Sequence, residues 1–166
     1  MFTMYISQKM FSLFGKYEVK NSDGSLAYIV EGKPSFTKKL NIYDANHQEV
    51  GSIRKVMLSF LPEFKIWIAN KEVGDIKKDL SLFRPRYSIS FNDWKVKGNL
   101  MGWNFEVYQN SKLIGQVDQQ LWHFTSHYAI HYENKNDALE MLLLTLAIEA
   151  VNEAKKAQNQ VNSNND

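Results

Sequence analysis

Between Ala138 and Val151 the chain is apolar at every position except Glu140, Thr145 and Glu149. A surface helix carries an apolar stripe, but Met141-Leu142-Leu143-Leu144 puts apolar side chains on every side of one turn. Such a helix has to be enclosed all round, by protein or by lipid. It would rise only about 21 Å, against a hydrocarbon thickness of about 30 Å, and it includes Glu140 and Glu149. It is therefore read as a buried core helix rather than a membrane span. Asn136 or Asp137 is placed to cap it, Glu140 falls in its first turn, and Lys155 and Lys156 lie near its far end, where the helix dipole favours each charge. The polar stretch after it, residues 158–166, reads as a disordered tail, leaving residues 1–157 as a single domain. What encloses the helix has to come from the residues before it.

Those residues read as strands. Val, Ile, Tyr, Phe and Trp come in short runs broken by turn residues, with no sustained 3.6-residue period. Strands are expected at roughly 3–8, 16–20, 26–32, 37–43, 48–58, 63–69, 73–79, 86–91, 93–98, 102–108, 112–121 and 127–133. The turns between them are legible at Asn21-Ser22-Asp23-Gly24, Asp44–Gln48, Ala69-Asn70, Asn92-Asp93, Asn110-Ser111 and Thr125-Ser126.

An internal repeat narrows the architecture. Val50-Gly51-Ser52-Ile53-Arg54-Lys55, Val73-Gly74-Asp75-Ile76-Lys77-Lys78 and Ile114-Gly115-Gln116-Val117-Asp118-Gln119 share aliphatic-Gly-x-aliphatic. Between the first and third copies the match continues, Met57 aligning with Leu121 and Phe60 with Phe124. A glycine after an aliphatic residue inside a strand implies a bulge or tight bend, which a closing sheet needs. About twelve antiparallel strands closed into a barrel leave a lumen wider than side chains alone fill, and a helix about 10 Å across would fill it. The fold class is thus mainly β, a closed barrel of about twelve strands around a hydrophobic C-terminal helix.

This arrangement resembles the LURP-one-related family, which is grouped with the tubby C-terminal domain and the phospholipid scramblases. The most specific matching residues are Tyr17-Glu18-Val19 with Asp23-Gly24, then Val50-Gly51-Ser52-Ile53-Arg54-Lys55, and Asp137-Ala138-Leu139 opening the helix. They are packing and turn signatures. The resemblance implies a twelve-stranded barrel around a central helix over roughly residues 3–156. Tubby domains bind phosphoinositide head groups through basic residues on the barrel wall, and scramblases associate with membranes. Fold by itself does not assign either property to this chain.

Candidate chemistry is sparse. No cysteine is present, which excludes disulfides, thiolate zinc sites and cysteine nucleophiles and fits a cytoplasmic protein, as does a start without signal-peptide character. No phosphate loop, GxSxG elbow or HExxH motif occurs, so no catalytic residue and no cofactor are assigned. His123, His127 and His131 are spaced by four, but on strands His127 and His131 stand about 13 Å apart, too far to share one metal ion. Basic residues recur as Lys38-Lys39, Arg54-Lys55, Lys77-Lys78 and Arg84 with Arg86. Neighbours on a strand face opposite ways, so each pair offers one outward cation, and strand pairing can gather them into an anion or phosphate site. Residues 1–100 hold 16 Lys+Arg against 10 Asp+Glu, and the remainder hold 4 against 8, an asymmetry compatible with an anionic partner. The leading expectation is a non-enzymatic binding or scaffolding module, cytoplasmic and peripheral to a membrane. Its partner would be an anionic lipid head group or a protein on the outer wall. Two alternatives stand beside it: an enzyme with a site at a barrel mouth, marked by titratable groups around Glu140 or Glu149, and a nucleic-acid-associated regulatory protein. The last would need exposed rings beside a basic groove, whereas alternation sends most of Trp67, Trp94, Trp103 and Trp122 inward, so nucleic acid is not expected.

Overall fold

A computed structural model describes residues 1–7, 15–33, 39–79, 86–122 and 125–163 of the chain. Twelve strands form one antiparallel sheet: β1 (Phe2–Ser7), β2 (Gly15–Asn21), β3 (Leu26–Lys33), β4 (Lys39–Asp44), β5 (Glu49–Lys55), β6 (Glu63–Ile68), β7 (Lys71–Asp79), β8 (Arg86–Phe91), β9 (Lys95–Asn99), β10 (Asn104–Gln109), β11 (Lys112–Trp122) and β12 (Thr125–Tyr132). The strand order is β8-β7-β6-β5-β4-β3-β2-β1-β12-β11-β10-β9. β1 pairs with both β2 and β12, so the sheet curls until its two edges are the consecutive strands β8 and β9. Among the described residues no ladder joins those edges, and the barrel is closed except at this seam. The turns Ala69-Asn70, Asn92-Asp93 and Asn110-Ser111 each place two consecutive residues at positive φ, the mirror-image turn that matches the twist of a two-residue hairpin.

The repeated glycines have the expected setting. Ile42 opposes Gly51 while Tyr43 opposes Glu49, which makes Val50 the extra residue of a bulge. The same break falls at Val73 in β7 and at Ile114 in β11. At two of the three the missing side chain is also what lets the helix approach. A Cβ on Gly115 would stand 2.6 Å from Met141 Cε and 2.7 Å from the His131 carbonyl, and one on Gly51 would stand 3.2 Å from Leu143 Cδ1.

The helix, α1 (Ala138–Ser163), follows a 3-10 turn at Lys135–Asp137. That turn is capped by Asn134, whose Oδ1 accepts from the Asn136 N–H at 3.1 Å, so the cap lies just before the residues expected to provide it. From Met141 to Val151 every apolar side chain is buried, against Ile42, Ile53, Ile66, Ile76 and Phe105 of the wall. Each large one contributes about 1.5–3 kcal/mol gross to folding. The helix does not stop at residue 157; the stretch read as a polar tail remains helical through Ser163, with its side chains exposed from Lys156 to Val161.

One expected strand ends early. The fifth was read to residue 58, but the β5–β6 ladder finishes with Lys55 opposite Phe64, and the Val56 N–H donates to the Glu63 carbonyl. Residues 56–62 are therefore a loop, pinned on its return side by the Lys78 N–H donating to the Pro62 carbonyl at 3.0 Å. Met57 and Phe60, aligned by the repeat with strand residues, are exposed in this loop together with Leu58. Phe124 lies outside the described residues.

Candidate functional site

Among the described residues the basic candidates do not come together on one face. Arg54 points outward and Lys55 inward, toward the barrel mouth where the helix leaves; Lys77 and Lys78 divide in the same way. On the outer wall the register sets Lys39, Arg54 and Lys65 side by side across β4, β5 and β6. That row is largely neutralised. Lys39 meets Glu49 at 3.4 Å, Lys65 meets Glu72 at 2.9 Å, and Lys77 meets Glu63 at 3.6 Å. Arg54 has no carboxylate at ion-pair distance among the described residues, but its guanidinium is stacked 4.4 Å from the Trp67 ring centroid. Lys38 and Arg84 lie outside the described residues, and Arg86 is placed by its backbone opposite Asp79.

The helix-exit mouth is different. Lys78 follows Ile76 on the inward side of β7 and is 6% exposed. Among the described residues its ammonium has no hydrogen-bond partner, and it lies 5.7 Å from the centroid of the Tyr87 ring, its neighbour across β7 and β8. The charge that acts on it is another cation, Lys155 of α1; burial first, and that neighbour second, lower Lys78 to about 8. Lys55 lines the same mouth, in a groove of about 510 Å³ between Phe60 of the loop and Ala154, Ala157 and Val161 of the helix. Lys78 and Lys155 thus meet at a mouth that Lys55 also lines, and among the described residues neither Lys55 nor Lys155 has an ion-pair partner.

Just inside the mouth the helix carries a polar line: Thr145, Glu149, Asn152, Glu153 and Lys156. Glu149 is 7% exposed. Burial pushes its carboxyl from the ordinary 4.5 up to about 7, Glu153 adds to the rise, and Lys156 and the Trp103 indole N–H oppose it. Trp103 takes a left-handed backbone, φ 53°, which is strained for a bulky side chain, and stacks 4.0 Å from Tyr128. Asn152 holds the seam. Its Oδ1 accepts from the Tyr87 hydroxyl on β8, and its Nδ2 donates to the Leu100 carbonyl just beyond β9 at 3.1 Å. At the other end of the barrel, burial raises the carboxyl of Glu140.

The sequence reading singled out Glu149 but not Asn152, Glu153 or the inward role of Lys155. The available signal was their spacing, since positions 145, 149, 152, 153 and 156 recur at helical intervals along an otherwise apolar helix. The histidines separate. His131 bridges three strands, with Nδ1 2.8 Å from Thr3 Oγ1 and Nε2 3.0 Å from Asp118 Oδ2. His127 is placed by its backbone, and His123 lies outside the described residues. Among the described residues no three His, Asp or Glu side chains are grouped to hold a metal ion. No helix among them is long and apolar enough to cross a membrane.

Comparison with known proteins agrees with this architecture. A solved structure of an Arabidopsis thaliana protein superposes with a TM-score of 0.56 at 14% identity, covering 87% of this chain and 88% of that one, a likeness of fold. The uncharacterised protein YxjI of Bacillus subtilis (strain 168) is 25% identical over 154 residues, 91% of this chain and 94% of that protein. The family model for LURP-one-related proteins matches residues 2–149, and the chain belongs to the LURP-one-related family.

Proposed function

We propose that the chain is a non-enzymatic binding module that takes a phosphate-bearing anion at the helix-exit mouth, held by Lys78 and Lys155 with Lys55 beside them. The observation that carries this is the buried ammonium of Lys78, which has no hydrogen-bond partner among the described residues. A buried charge is costly unless paired, and here the neighbour is a like charge, so an anion is the group that would satisfy both. With its value near 8, Lys78 is still mostly charged at neutral pH. The outer wall offers less, because its lysines already face carboxylates across the strands.

Thermal unfolding at pH 7 in inorganic phosphate, against chloride at equal ionic strength, tests this. Phosphate at ten times its dissociation constant adds about 1.4 kcal/mol, a rise of roughly 3–5 °C for a domain this size. Lys78→Met removes an unpartnered charge and keeps the packing, so it is expected to fold at least as well as wild type while losing the phosphate response; Lys155→Gln should lose it too. Equal responses from all three proteins overturn the assignment.

The enzyme reading has one specific observation in its favour, the raised carboxyl of Glu149 within a polar cluster. It lacks access: neither groove beside the 56–62 loop is lined by Glu149. The nucleic-acid reading is not favoured, because Trp94 and Trp103 are buried in the core and Trp67 lies beneath Arg54.

A further inference from the structure

The loop 56–62 stands at the rim of the same mouth. Leu58 is 96% exposed, Phe60 is 100% exposed, and Met57 is exposed beside them. Soluble proteins scatter single apolar side chains over their surfaces, but three exposed together on one loop tip mark an interaction site. The charge around the tip has one sign left over. Lys55 opens the loop, Lys77 and Lys78 lie behind its return, and Lys155 of the helix neighbours Lys78. Among the described residues of this rim Glu63 is paired with Lys77 and Glu153 with Lys156, while Asp79 accepts from the Ser88 hydroxyl and keeps its charge, so Lys55, Lys78 and Lys155 outnumber the one carboxylate left without a cation.

We propose that this loop is an interfacial anchor: Met57, Leu58 and Phe60 enter the head-group and acyl boundary of an anionic bilayer, leaving the rim lysines at the depth of the lipid phosphates. Two features choose a bilayer over a protein groove. Outward-splayed side chains at a loop tip need a fluid apolar layer, which takes them without a matching shape. The uncompensated cations match the negative surface of an anionic leaflet. For its electrostatic half the inference rests on the anion site proposed above; its apolar half rests on the loop alone.

The chain has no cysteine, so Leu58→Cys gives a unique site for a polarity-sensitive dye. Labelled protein is mixed with vesicles of phosphatidylcholine alone and of phosphatidylcholine with phosphatidylserine, at low and high salt. The dye is expected to brighten and shift to the blue on the mixed vesicles, and less so on the neutral ones or in high salt. In co-sedimentation, Leu58→Ser/Phe60→Ser should bind the mixed vesicles at least about tenfold more weakly than wild type. Because those side chains are exposed, the variant should keep wild-type unfolding and the wild-type response to phosphate. A dye that stays in water on every vesicle, or serine variants that bind like wild type, overturns the anchor. So does a dye response that follows protein concentration without vesicles, since that makes the loop a protein contact. Loss of the phosphate response with the dye still inserting removes the anion site and leaves the anchor standing.

Discussion

Glu149→Gln should change how stability depends on pH, by an amount set by the burial of one carboxyl. In the folded barrel Glu149 titrates near 7 instead of the ordinary 4.5. Between those values the folded state holds a proton that the unfolded state has released, so stability falls as pH rises through that window. The full loss is reached above pH 7, and none is felt below 4.5. A separation of about 2.5 units at about 1.4 kcal/mol per unit gives a loss of about 3 kcal/mol. Glutamine mimics the protonated acid and still accepts from the Trp103 indole, but it has nothing to ionise. The variant and the wild type should therefore be nearly equal near pH 4.5, and the variant should be more stable by about 3 kcal/mol at pH 8, or roughly 6–12 °C. Lys78 works in the opposite direction and in a different range. Its value is lowered to about 8, so the unfolded state binds the extra proton between there and 10.5, and stability rises with pH over that span. Urea unfolding followed by tryptophan fluorescence from pH 4.5 to pH 8 isolates the glutamate. Parallel curves for the two proteins, or a gap that widens toward acid, would refute the burial argument.

Asn152→Leu removes both bonds across the seam and leaves the Tyr87 hydroxyl and the Leu100 carbonyl without their partner. A cost of about 2–4 kcal/mol is expected, with amide hydrogen exchange accelerated in β8 and β9 ahead of the other strands; uniform acceleration would deny Asn152 a clamping role. Gly115→Ala should cost about 1–3 kcal/mol by thermal unfolding, and Gly51→Ala less, because a Cβ on Gly115 would stand 2.7 Å from the His131 carbonyl, whereas one on Gly51 would stand 3.1 Å from the Trp67 carbonyl and 3.2 Å from a Leu143 methyl that can yield. The reverse ranking would separate the glycines from helix packing.

Most of the fold could be read from the chain because local signals agreed with one another. Asn-Ser and Asn-Asp pairs forecast the left-handed hairpin turns, and Val-Gly and Ile-Gly forecast the bulges, since few residue types suit those backbone positions. The all-round apolar run required an enclosure, and twelve strands could supply one. The 56–62 loop was misread because Val56, Met57, Leu58 and Phe60 carry strand chemistry, and the repeat extended that reading; what ends β5 is the register of its hairpin with β6. The seam was invisible for another reason. Whether β8 and β9 pair depends on how far the whole sheet curls, and no local run of residues encodes that. Among the described residues the basic pairs divide by register as well. Lys39, Arg54 and Lys65 do meet, but the same ladders bring Glu49 and Glu72 beside them, and Lys55 and Lys78 turn inward by alternation.

The helix that fills the barrel is also the element synthesised after all twelve strands. A ribosome adding about 5–20 residues per second exposes β1 for several seconds before β12 exists to pair with it, and longer before α1 can enter the lumen. Until then the inward rows of Ile, Val and Phe have nothing to pack on, and β1 presents an open edge to any neighbouring strand. Folding of this barrel therefore has to wait for the synthesis of α1 and is expected to depend on holding chaperones until then. Its yield in cells should be more sensitive to translation rate and temperature than the stability of the finished barrel suggests.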